Sequence, residues 1–123
     1  MSQIGKTYDL EERTLNFSKR ILRLTKALPR NTANNAFISQ IIRSSCSVGA
    51  NYIEANESLG RKDFLMRARI SRKEAKETIY WLKLIIENNI GLENRINPLL
   101  QEATELLKIF SSIIEKSKDT KKD

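Results

Sequence analysis

The sequence predicts an all-α fold, an up-down-up-down antiparallel four-helix bundle. Apolar residues recur at steps of three and four along four stretches of about 20 residues, which is the helical period. The breaks between these stretches are short, and four amphipathic helices with short connections pack as antiparallel neighbours crossing at roughly 20°. No run alternates as a strand does, and no Asn-Gly or Asp-Gly hairpin turn is present.

The first helix is expected over residues 9–28, with Leu10, Phe17, Ile21, Leu24 and Leu28 on one stripe and Pro29 ending it. Thr32 or Asn34 can cap the second, whose stripe is Ile38, Ile41, Ser45, Val48, Tyr52 and Ala55. A break follows at Glu57-Ser58-Leu59-Gly60. The third stripe is Phe64, Ala68, Ser71, Ala75, Thr78, Leu82 and Ile85, stopped by Asn88-Asn89-Ile90-Gly91. Asn97-Pro98 reads as the start of the fourth, with Asn at the cap and Pro in the first turn. Its stripe is Leu99, Ala103, Leu106, Phe110 and Ile113, widened by Leu100, Leu107 and Ile114. At 123 residues one domain is expected. Residues 8–115 form the bundle, 1–7 an N-terminal extension and 116–123 a polar tail that should fray, since it has no apolar residue.

Composition excludes much chemistry. There is no histidine, and Cys46 is the only cysteine. A Cys/His zinc site, an intramolecular disulfide and a His-dependent triad cannot be built within one chain. Gly5, Gly49, Gly60 and Gly91 are isolated, so no glycine-rich phosphate loop exists. No catalytic residue, metal or cofactor is expected. The start lacks a signal-peptide apolar core and no window reaches the roughly 18 apolar residues of a membrane span, so a cytoplasmic protein without a membrane partner is expected.

The net charge is +7, from 22 Lys+Arg and 15 Asp+Glu. It is unevenly spread, because residues 13–53 hold seven basic residues and no acidic one, whereas residues 84–123 are near neutral. The first helix offers Lys19, Arg20, Arg23 and Lys26. The third offers Lys62, Arg69, Arg72, Lys73, Lys76 and Lys83, with Tyr80 among them. The third helix also carries a second apolar stripe, Met66, Ile70, Trp81 and Leu84, with Glu74 and Glu77 interspersed. One bundle core needs only one seam, so this stripe is expected to face another subunit. On the second helix, Arg43, Ser47, Ala50 and Glu54, beside Cys46 and Gly49, make a face of small residues open to close approach. A mid-helix glycine costs about 1 kcal/mol unless something uses the space.

Gln40-Ile41-Ile42-Arg43-Ser44-Ser45-Cys46-Ser47-Val48-Gly49-Ala50-Asn51-Tyr52-Ile53-Glu54-Ala55, followed by Arg61-Lys62-Asp63-Phe64, Lys73-Glu74-Ala75 and Glu77-Thr78-Ile79-Tyr80-Trp81-Leu82, resembles the four-helix-bundle family encoded in intervening sequences of 23S ribosomal RNA genes. The likeness spans about residues 8–118. It implies a bundle assembling into a homopentameric ring, with no established biochemical activity. A relative, the accessory protein of diversity-generating retroelements, binds nucleic acid and a reverse transcriptase. The resemblance marks Arg43, Asn51, Glu54, Asp63, Lys73, Glu74, Glu77 and Trp81 as signature positions. Arg43, Asn51 and Glu54 are expected to exchange hydrogen bonds with the Glu74/Glu77 side of the third helix, and Gly49, Met66, Ile70 and Trp81 to lie at a subunit interface. The expected function is non-enzymatic binding of RNA through the basic faces of the first and third helices of a homo-oligomer. The alternative is a scaffold for an acidic protein or for a nucleic-acid-processing enzyme such as a reverse transcriptase.

Overall fold

A computed structural model describes residues 3–119, with side chains described from 10 to 118. Four helices follow in order, α1 (Gln3–Ala27), α2 (Thr32–Asn56), α3 (Arg61–Asn88) and α4 (Glu93–Asp119), with a 3-10 turn at Ile90–Leu92 between the last two. Each helix packs on the next and α4 closes against α1, so α1 and α3 stand on one diagonal and α2 and α4 on the other. This is the expected four-helix bundle, and no strand occurs among the described residues.

Three helix ends differ from the sequence reading. Asn31, rather than Thr32 or Asn34, caps α2: its backbone is extended, and its side chain accepts from the Asn34 amide at 2.8 Å. The Asn34 side chain is used elsewhere. It is fully buried, donates to Pro29 O at 2.9 Å, and exchanges amide hydrogen bonds with Asn89 at 2.9 and 2.8 Å. That pair ties the α1–α2 turn to the end of α3. The second difference is α4, which begins at Glu93 and not at Asn97. The 3-10 turn feeds directly into the helix, and Ile96 is drawn onto the core. Pro98 then falls inside α4 as its sixth residue, past the orphan amides of the first turn, so the Asn94 carbonyl goes without its usual i→i−4 donor. The third is the end of α4. The helix runs on through residues 116–119 of the polar tail, with Lys116 and Lys118 placed where cations oppose the helix dipole. Lys118 also pairs with Glu115 at 3.2 Å. Residues 120–123 of the polar tail lie outside the described residues. At the other end of the chain, α1 begins at Gln3, within the stretch 1–7 read as an extension.

The four sequence stripes meet in one core. Phe17, Ile21 and Leu24 of α1, Ile41 and Val48 of α2, Leu82 and Ile85 of α3, and Leu106 and Phe110 of α4 are at most 1% exposed. Tyr52 stands edge-on to Phe110, with ring centres 5.6 Å apart, and burial raises its phenol pKa. On α4 the buried row ends on Ile114; Ile113, placed on the stripe from sequence, is half-buried.

The interface of α2 with α3 is built differently from the rest. Its inner positions are small or hydroxylated: Ser44 and Val48 on α2; Ala68, Ser71, Ala75 and Thr78 on α3. The buried hydroxyls are all satisfied. Ser71 donates to Val48 O at 2.8 Å, Thr78 donates to Glu74 O at 2.8 Å, and the Ser44 and Thr78 oxygens lie 2.8 Å apart. Unmade, each would cost about 1–3 kcal/mol. On the opposite flank of α2, Gly49 is buried against α1. A Cβ there would stand 2.8 Å from Thr14 Oγ1 and 3.0 Å from Thr14 Cβ. The glycine's space is therefore used within one chain, by Thr14 of α1. Because Thr14 is branched at Cβ and donates to Glu11 O at 2.9 Å, it cannot simply turn away. Gly49→Val should destabilise the fold by roughly 2 kcal/mol through overpacking, despite removing a helical glycine. Chemical denaturation measures this, and a variant as stable as the parent would show that α1 yields freely at Thr14.

Candidate functional site

The seam between α2 and α3 fixes which side of α3 turns outward. Ala68, Ser71, Ala75, Thr78 and Leu82 point into the bundle, so the positions half a turn away face solvent. Arg69, Lys73, Lys76 and Tyr80 follow at spacings of four, three and four, and hence share one outer face over about 16 Å of helix. With Arg72 and Glu77 they line an open groove of about 700 Å³, whose other wall is Leu107 and Ser111 of α4. Arg69, Lys73, Lys76 and Tyr80 are exposed and Arg72 is half-buried. Among the described residues none of these four cations is in an ion pair. The acid in the groove, Glu77, is already engaged by Arg43 and by Trp81 Nε1, the latter at 3.1 Å. Four like charges thus share one concavity without a compensating acid of their own, an arrangement that favours an anion.

Lys62 and Lys83 are also exposed on α3, Lys62 in a second groove of about 780 Å³ with Gly60, Asp63, Met66, Arg69, Ile70 and Lys73. Arg69 and Lys73 form the ridge between the two grooves. The cations of α1 are elsewhere. Lys19, Arg23 and Lys26 are exposed and Arg20 half-buried, on a helix diagonal to α3. The two basic helices therefore present their charge on opposite sides of the bundle rather than as one surface. Arg13, the remaining basic residue near this α1 face, is taken up by α4. It makes a two-point contact with Glu102 at 2.7 and 2.9 Å and reaches Glu105 at 2.6 Å. The Glu102 hydrogen bonds raise its pKa above the ordinary guanidinium value, against a lowering by burial.

The signature residues divide. Arg43 of α2 reaches Glu74 at 3.2 Å and also bonds Glu77, as expected. Glu74 is buried and Arg43 half-exposed, so the cation covers a carboxylate that the seam has desolvated. Asn51 does not join them. Its amide donates to Ser47 O and Oγ at 3.0 and 2.9 Å, and its oxygen accepts from Arg67 at 3.0 Å. Glu54 is exposed with no partner among the described residues, and Asp63 is exposed at the start of α3. Trp81 is half-buried, packed 6.2 Å from Phe37 of α2. It and Glu74 therefore belong to the α2–α3 seam of a single chain. The second stripe of α3 is reduced to Met66, Ile70 and Leu84, of which Met66 is 47% exposed.

One surface escaped the sequence reading. Leu15 and Leu22 on α1 and Ile53 on α2 are 47%, 41% and 48% exposed. Leu15 and Leu22 bracket Ser18, which donates to Ser45 O of α2 at 3.3 Å, and Ile53 lies one turn beyond Gly49. The three thus form an apolar strip along the α1–α2 flank, away from Met66 and Ile70. The i,i+7 spacing of Leu15 and Leu22, off the main stripe, was the available signal. Among the described residues no helix is long and apolar enough to cross a membrane.

A family model described as 23S rRNA-intervening sequence protein matches residues 6–112. Among solved structures, the chain is similar to a protein with unknown function from the S23 ribosomal protein family of Bacteroides thetaiotaomicron VPI-5482. The two share 34% identity with a TM-score of 0.81, over 89% of this chain and 98% of that one. No curated protein matches the chain.

Removing the Arg43 guanidinium while leaving Glu74 buried should be costly. Arg43→Met is expected to lower stability by about 1–3 kcal/mol, and Arg43→Met with Glu74→Met to recover most of it. A single variant with unchanged denaturation midpoint would show that Glu74 is hydrated without its cation.

Proposed function

The chain belongs to the 23S rRNA-intervening sequence protein family, and from that premise we propose that it is an oligomeric bundle that binds RNA through the cationic groove between α3 and α4. The observation that carries the reading is the set Arg69, Arg72, Lys73 and Lys76, four cations lining one groove with no acid paired to any of them among the described residues. Phosphates neutralise such a set with little dependence on base sequence. The proposed role is binding rather than catalysis. The chain has no histidine, and the carboxylates on this side of α3 are engaged, Glu74 and Glu77 by Arg43 and Glu77 also by Trp81.

Self-assembly is part of the proposal. The Leu15–Leu22–Ile53 strip and the Met66–Ile70 strip lie on different flanks of the bundle. A contact joining one to the other is head-to-tail, and such contacts form a ring where the rotation between subunits closes and a filament where it does not. The family resemblance supplies the number five. Repetition of a weak phosphate site around a ring raises avidity without any new contact.

RNA affinity should fall linearly on a log–log plot against salt. Lys73→Ala with Lys76→Ala should lower it at least tenfold and reduce the slope by roughly 1–2. Lys19→Ala with Arg23→Ala, on the far side of the bundle, should change both much less. Equal losses from the two pairs would assign binding to overall charge, and recovery of an acidic protein in nuclease-treated lysate with no RNA affinity would favour a protein scaffold. Light scattering at micromolar concentration should give close to five times the 14.2-kDa chain mass, and Met66→Glu with Ile70→Glu should give monomer. A monomeric parent would contradict the assembly.

A further inference from the structure

We infer that the α3–α4 groove takes an unpaired stretch of nucleic acid, with backbone phosphates on Arg69, Lys73 and Lys76 and one base stacked on Tyr80. The inference rests on the reading of this groove as a nucleic-acid site and adds which form of nucleic acid it accepts.

Tyr80 is 58% exposed, the largest aromatic exposure in the chain's described residues, and it lines the groove at the end of the Arg69–Lys73–Lys76 row. Its position is held from behind. Its ring stands edge-to-face with Trp81, centres 5.1 Å apart and planes at 74°. Trp81 is in turn fixed by Phe37 at 6.2 Å and by its hydrogen bond to Glu77, which also bonds Arg43. In an edge-to-face pair at least one face of the Tyr80 ring is left free of Trp81. The groove therefore holds a fixed aromatic face next to a row of cations one helical turn apart. Proteins that hold single strands combine these two elements, cations that track the backbone and aromatic rings on which bases stack.

A duplex cannot use the ring. Its bases are stacked on one another, and a paired helix offers a protein mainly phosphates, hydroxyls and base edges. Only an unstacked base, in a loop, a bulge or a single strand, has a face to give to Tyr80. The cations alone do not discriminate in this way, since they take phosphates of either form. The ring's aromatic surface, rather than its hydroxyl, is the recognising part.

The test is fluorescence anisotropy with a labelled single-stranded oligoribonucleotide and with the duplex of the same sequence, at one fixed salt concentration. The parent should prefer the single strand. Tyr80→Ala should weaken single-strand binding roughly tenfold and leave the duplex within about twofold, while Tyr80→Phe binds both as the parent does. Tyr80 is exposed, so the variant should fold, which a thermal melt verifies. If Tyr80→Ala binds the single strand as the parent does while Lys73→Ala with Lys76→Ala has lost affinity, the stacking inference is overturned and the groove reading stands. If Tyr80→Phe loses as much as Tyr80→Ala, the hydroxyl is the recognising group and the inference is again overturned. If all variants bind as the parent does, the groove reading itself fails, and the inference fails with it.

Discussion

The packing of α2 on α3 is the constraint from which the rest of this molecule follows. The large Phe, Leu and Ile side chains fill the centre of the bundle, and small residues also meet where Gly49 packs on Thr14 of α1. Between α2 and α3 the inner residues are Ser44, Val48, Ala68, Ser71, Ala75 and Thr78. Small side chains bring the backbones close, so that the Ser71 hydroxyl reaches Val48 O across the seam and Ser44 meets Thr78, while Ser44 and Thr78 also bond carbonyls of their own helices. Rotating α3 by one residue's angle would strand the Ser71 hydroxyl, at about 1–3 kcal/mol, and part Thr78 from Ser44. Arg43 on Glu74 and Glu77 adds a charged latch to the same register.

With that rotation set, the surface chemistry of α3 has no freedom left. Its cations are spaced to lie opposite Ala68, Ser71 and Ala75, and so they converge on the α4 side in the groove with Leu107 and Ser111. Keeping Arg69, Arg72, Lys73 and Lys76 together beside a single acid, Glu77, that Arg43 already engages works against folding, because like charges repel even at exposed positions. Acids were within the protein's means. Arg13 of α1 receives both Glu102 and Glu105 from α4. The contrast between a neutralised cation on one side of α4 and four uncompensated ones on the other gives the groove its polarity.

The sequence made most of the fold legible because helical periodicity survives in all four stretches and Pro29 and the Gly60 break are unambiguous. It made boundaries less legible where two signals compete. Asn97-Pro98 has the composition of a helix start, yet Ile96 has an apolar side chain to bury, and burial extended α4 back to Glu93. Asn31, Thr32 and Asn34 are all capping residue types, and only the demand for a polar partner from buried Asn89 decides that Asn34 turns inward and Asn31 caps. Gly49 and Trp81 show a different limit. Periodicity gives the angle at which a residue leaves its helix, but not how far a neighbouring helix wraps around it. Thr14 on α1 and Phe37 on α2 reach those positions, so both were absorbed within the chain. The groove was half legible. Spacing placed Arg69, Lys73, Lys76 and Tyr80 on one face, whereas the α4 wall depends on tertiary packing.

The same geometry separates the surfaces this protein has to offer. A four-helix square has four flanks, and three carry distinct chemistry. The α1–α2 flank holds Leu15, Leu22 and Ile53, the α2–α3 flank Met66 and Ile70, and the α3–α4 flank the cations. The two apolar strips adjoin α2 from either side, so a head-to-tail contact through them leaves the cationic flank uncovered. Had Arg69 and Lys76 stood on the α2 side of α3, burial between subunits would have stripped their water and demanded acidic partners. Placed toward α4, they would stay hydrated at the edge of the proposed assembly and free for a polyanion. Arg69 and Lys73, on the ridge between the Met66 groove and the cationic groove, are where these two uses of α3 meet. Association at Met66 would lower the dielectric around exactly one side of that ridge, strengthening the pull of its charges on a bound phosphate while leaving their other side open.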